Sequence, residues 1–109
     1  MIHLENETEL KLVGLTVLKF TAEWCAPCKR LDSILQKMEK EFTDVKFIYV
    51  DIDKCTKLAQ KYRIKSVPTL AFFNGEEESG ERVVGVIMTD PLRKIFKTFA
   101  KTDSEEKGE

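Results

Sequence analysis

Two cysteines three residues apart, Cys25 and Cys28, stand where a strand-like run gives way to a helix-like one, and that junction narrows the choice of fold. Residues 16–21 (TVLKFT) are β-branched and apolar except for Lys19, the pattern of a buried strand. From Pro27 the period changes. Leu31, Leu35, Met38 and Phe42 recur at helical spacing with Ile34 beside them, and lysines and glutamates fall opposite. Proline is tolerated in a first helical turn, where its missing N–H costs little.

The rest of the chain continues the alternation. Residues 45–52 (VKFIYVDI) read as a second apolar strand, and Asp53 as the cap of a short helix carrying Leu58, Ala59 and Tyr62. Residues 69–73 (TLAFF) form a third strand, Asn74 and Gly75 begin a turn, and residues 82–86 return as its hairpin partner. Asp90 and Pro91 read as N-cap and first residue of a final helix with Leu92, Ile95, Phe96 and Phe99 on one face. Residues 2–4 suit an edge strand and residues 5–13 a short first helix. The order β-α-β-α-β-α-β-β-α calls for an α/β fold: a central mixed sheet of four or five strands with helices on both faces. Sites in such sheets form beyond the carboxyl ends of the strands, where Trp24 and Cys25 fall.

One domain is expected over residues 1–100 of the 109. The polar stretch 101–109 (KTDSEEKGE) has no apolar side chain and is expected to be a disordered tail. Eighteen basic and 19 acidic side chains leave a net charge of −1, no footprint for nucleic acid or an anionic membrane. The first twenty residues have neither the basic start nor the cleavage site of a signal peptide, and no apolar run approaches a membrane span. Three cysteines, an odd number, argue against a disulfide-stapled secreted fold. A reducing, cytoplasmic setting is expected.

Two cysteines at i and i+3 on a first helical turn are within reach of a disulfide. Free N–H groups and partial positive charge at the helix start lower the pKa of Cys25 and favour its thiolate. Cys28, one turn inside, is expected to be more shielded and protonated until needed. Cys25 is therefore assigned the attack on a substrate disulfide and Cys28 the resolution of the mixed disulfide. Half of a zinc site is the competing reading. Zinc needs four ligands, and beyond the pair the chain offers only Cys55 and His3, so no metal and no other cofactor are expected.

Residues 20–29 (FTAEWCAPCK), 50–53 (VDID) and 66–75 (SVPTLAFFNG), with Gly85, resemble the thioredoxin family in order and nearly in spacing. The resemblance implies the thioredoxin fold and a protein disulfide reductase, a redox-active electron carrier acting as a monomer and re-reduced by a thioredoxin reductase. It also implies a cis Val67–Pro68 bond facing the cysteines, with Val67, Pro68, Thr69, Gly85 and Trp24 meeting the substrate. A strand bulge would equally explain Gly85, and a core-edge position Trp24. The alternative function is a thioredoxin-fold accessory subunit that works by docking to a partner.

Two positions depart from the family pattern. Ala26-Pro27 replaces the usual Gly-Pro between the cysteines. Lys19 stands where the family has a buried aspartate, often paired with a lysine on the neighbouring strand, here Tyr49. Lys19 either snorkels to water from the strand end or lies beneath the site near Tyr49 and tunes Cys28. Cys55 is a small buried hydrophobe or a regulatory thiol. Glu76, Glu77 and Glu78 read as a solvated hairpin loop about two residues longer than usual.

Overall fold

The computed structural model describes residues 2–107, with side chains through Thr102. A sheet of six strands forms: β1 Ile2–His3, β2 Leu15–Thr21, β3 Lys46–Asp51, β4 Thr69–Asn74, β5 Glu77–Glu78 and β6 Val83–Val84. Three α-helices accompany it: α1 Ala26–Glu41, α2 Thr56–Lys61 and α3 Thr89–Lys107. Across the sheet the order is β1-β3-β2-β4-β5, with β6 also on β4. β1, β3 and β2 run parallel, and β4 lies antiparallel to β2.

Period-two alternation along β2 and β3 divides two cores. Leu15, Val17, Phe47 and Tyr49 face Leu31, Leu35 and Met38 of α1 and Leu92, Phe96 and Phe99 of α3. Leu18, Phe20, Ile48 and Val50 face Cys55 and Leu58 on the other side. The three aromatic rings around Phe96 are those of Phe42, Phe47 and Phe72, each 5.4 Å away between centroids.

Several expectations change. The sheet has six strands because the acidic run is not all loop: Asn74 pairs with Glu77 and Phe73 with Glu78. Val83 and Val84 pair with the other end of β4, so two short strands share one edge, and the longer connection interrupts what was expected to be a single hairpin partner. Arg82 clamps the interruption with Nε on Glu78 at 2.7 Å and Nη1 on the Tyr62 carbonyl at 2.6 Å. The expected first helix shrinks to a 3₁₀ turn at Glu7–Glu9, stopped by the extended backbone of Leu10. Leu10 and Leu12 instead pack on the second of the two cores, the lower one that holds Cys55 and Leu58.

Asp53 does not cap α2. That helix starts at Thr56 behind Cys55, whose side chain makes no capping bond. The carboxylate of Glu7 supplies the missing acceptor, taking the Lys57 N–H from fifty residues away. α3 begins two residues early, at Thr89 rather than Pro91, and runs through Lys107, so residues 101–107 of the expected tail are helical; Gly108 and Glu109 lie outside the described residues. Glutamate and lysine, both good helix formers, suit that extension. No described helix is long and apolar enough to cross a membrane.

Two outcomes are expected from this packing. Phe96→Ala should cost about 3–5 kcal/mol in urea unfolding, because three rings lose a common contact. Burial, with Glu7 and Asp51 adding to it, raises the Cys55 thiol above its ordinary pKa. The folded state then holds a proton that the unfolded chain gives up, so this contribution to stability is lost as pH rises above the unfolded thiol value of about 8.5. Cys55→Ala should unfold with a smaller loss of stability between pH 8 and 10 than the parent.

Candidate functional site

The site forms where β2 ends and α1 begins. Cys25 is the N-cap of α1 in extended backbone, Ala26 and Pro27 fill the first two helical positions, and Cys28 is third. Apolar burial of Leu31, Leu35 and Met38 holds the helix on the sheet and aims its open amide end at the loops above the strands. Cys25 and Cys28 are joined as a disulfide with Cα atoms 5.3 Å apart. The Cys28 N–H donates to Cys25 Sγ at 3.1 Å, so the sulfur occupies the place of a capping oxygen.

Exposure hardly separates the two residues: Cys25 is 4% exposed and Cys28 1%, so Cys28 is the more shielded only by a small margin. Their partners do separate them. Cys25 Sγ meets the Cys28 amide and lies 3.7 Å from the Val67 carbonyl oxygen. Ala22, Ile52 and Val67 pack around the pair.

The Val67–Pro68 bond is cis, and β4 starts immediately after it. Thr69 Oγ1 donates to the Ser66 carbonyl at 2.7 Å, bracing the turn from beneath. The Gly85 N–H donates to the Pro68 carbonyl at 2.9 Å. Gly85 has φ +88°, a left-handed conformation costly for other residues, and open space where a Cβ would point. Backbone conformation thus requires this glycine even without a substrate chain.

Trp24 is 69% exposed and not a core residue. Its indole N–H donates to Asp53 Oδ2 at 2.9 Å, so the carboxylate expected to cap α2 instead holds the indole. Nothing local in the sequence ties these two residues together. Val84, Val86 and Met88 are further exposed apolar side chains, following β4's partner strand toward α3.

Lys19 does not snorkel. It is 1% exposed, on the same face of β2 as Leu15 and Val17. Its Nζ donates to the Cys28 carbonyl at 2.8 Å, pairs with the Asp32 carboxylate, and sits 4.6 Å from the centre of the Tyr49 ring. Asp32 was not singled out by the sequence, although it lies one helical turn beyond Cys28. Burial lowers the pKa of Lys19, and the Asp32 carboxylate opposes that effect. Burial raises the Tyr49 phenol far above its ordinary value, with Asp32 adding to the shift. His3 abuts the Tyr49 ring at 4.8 Å. Cys55 lies in the lower core, in a different cluster from the cysteine pair.

With this geometry in place, the comparisons are specific. The thioredoxin family model matches residues 5–98. Thioredoxin H2-1 of Oryza sativa subsp. japonica is 38% identical over 90 residues, covering 83% of this chain and 64% of its own length. The thioredoxin of Chlamydia trachomatis is 38% identical over 92 residues, covering 84% of this chain and 89% of its own. The X-ray structure of Fasciola hepatica thioredoxin superposes with a TM-score of 0.80 at 28% identity, covering 91% of this chain and 99% of the other. A strand-to-helix cysteine pair, a facing cis proline and these similarities agree, and the chain belongs to the thioredoxin family of thiol–disulfide oxidoreductases.

Proposed function

We propose that this chain reduces disulfides in other proteins, with Cys25 as the attacking sulfur and Cys28 as the resolving one. The observation that carries the assignment is the Cys28 N–H directed at Cys25 Sγ on the helix N-cap. An amide donor and the positive end of the helix both favour charge on that sulfur. The Cys25 thiolate attacks one sulfur of a substrate disulfide, and the other leaves as a thiolate that takes up a proton. The Cys28 thiolate then attacks Cys25 Sγ, closing the internal disulfide and releasing the second substrate thiol. Two electrons pass to the substrate, and a thioredoxin reductase returns them.

An extended substrate segment fits beside the cis Val67–Pro68 turn, whose Val67 carbonyl already lies close to Cys25. Trp24, Val67, Pro68, Thr69 and Gly85 are assigned to that contact, with Asp53 fixing the indole. Aromatic and apolar side chains at such a rim favour recognition by shape over charge. The odd number of cysteines, with Cys55 unbridged and buried, supports a reducing compartment, the cytoplasm, and a monomer at work there.

Insulin reduction coupled to a thioredoxin reductase tests the assignment. Cys25→Ser should lower turnover to the uncatalysed background, whereas Cys28→Ser should accumulate a mixed disulfide with substrate. A double Cys25→Ser, Cys28→Ser variant that kept full biological activity would replace this function with the docking role. Equilibration with glutathione should place the couple near the −270 mV typical of thioredoxin, and a value near −120 mV would mark an oxidant instead.

A further inference from the structure

Lys19 is the only charged side chain among the fully buried large residues described, and it lies directly beneath the cysteine that must lose a proton late in the cycle. A cation sealed from water without partners is strongly disfavoured. Here the ammonium has three: the Cys28 carbonyl, the Asp32 carboxylate and the face of Tyr49. Such a set keeps the ammonium charged where a bare amine would result.

We propose that Lys19, held by Asp32, is a positioning residue that stabilises the Cys28 thiolate and thereby sets the pH at which the mixed disulfide is resolved. The two charges of the ion pair do not cancel at Cys28. The ammonium is buried and touches the carbonyl of Cys28 itself, whereas the Asp32 side chain lies a turn further along and is 35% exposed, so water screens it more.

Other groups face this pair from every side. Tyr49 on β3 stays protonated because its pKa is raised, and His3 on β1 lies beyond the Tyr49 ring. Asp32 and Tyr49 also line a cleft of about 300 Å³ open to solvent. Lys29 of α1 and Lys54 stand at its rim against Glu5, Glu23 and Asp51. Those rim charges are of both signs and wet, whereas Lys19 is buried and bonded to the Cys28 carbonyl.

In the resolving step the Cys28 thiol gives its proton to solvent. The sulfur's electron pair forms the bond to Cys25 Sγ while the Cys25–substrate bond breaks and its pair leaves on the substrate sulfur. A favoured thiolate also stabilises the dithiol form and makes the internal disulfide easier to reduce.

The inference rests on Cys28 being the resolving sulfur, and its test is separable from that assignment. In a Cys25→Ser, Cys55→Ala chain, Cys28 is the one remaining thiol, and its thiolate absorbance can be followed against pH. With Lys19 intact, Cys28 should titrate at or below the ordinary thiol value of about 8.5 despite its burial. A midpoint well above that overturns the proposal without any change at Lys19. Lys19→Met and Lys19→Gln should each raise the midpoint by about one unit or more, since both remove the charge and Gln keeps a donor for the Cys28 carbonyl. With Cys25 restored, the pH profile of resolution should move upward equally. An unchanged midpoint in a folded variant, or a shift with Met alone, overturns the proposal. Failure of Cys28→Ser to trap a mixed disulfide would instead overturn the resolving assignment.

Discussion

Burial of one stripe of α1 against the upper face of the sheet is the constraint on which the rest of the site depends. Leu31, Leu35 and Met38 are fully enclosed, and together they fix both the height and the direction of the helix. At about 25 cal/mol per Å² of apolar surface, such packing outweighs any single polar contact at the active end. The helix therefore cannot rotate to relieve a local strain, and its first turn must present its amides where β2 delivers Cys25. A sulfur in the capping place follows from that geometry. So does the polar complication beneath it, because the alternation that buries Leu15 and Val17 buries Lys19 as well.

Local features were legible from the residues alone. Strand period, helix period, the cysteine spacing and the Asn74-Gly75 turn are all decided within a few positions, and the first two also divide the core correctly. The family resemblance supplied the cis proline, which neither composition nor spacing reveals. Long-range pairings leave no such local mark. Asp53 reads as a cap by local rules, yet an indole 29 residues away claims its carboxylate. The N–H it might have taken up at α2 goes to the Glu7 side of the structure, since Lys57 donates to Glu7.

Asp32 is a different kind of omission. Its helical spacing from Cys28 was visible, but its importance depends on a lysine from another strand reaching it. The same holds for the shortened N-terminal helix. Residues 5–13 have the polarity of a surface helix, but Leu10 and Leu12 gain more by lying extended across the lower core. Tertiary burial overrides weak local preference in such cases.

The divided edge of the sheet carries a consequence for the molecule in a crowded solution. β4 is covered on its outer side by two segments of two residues each, separated by the bend that Arg82 fastens, and the opposite border, β1, is equally brief. Glu77 and Glu78 place carboxylates on one of those borders. A neighbouring copy seeking to add a strand finds no long flat run of unpaired amides to copy, and meets like charge where it tries. Exposed apolar side chains such as Trp24 can thus coexist with a sheet that resists growing from one molecule into the next.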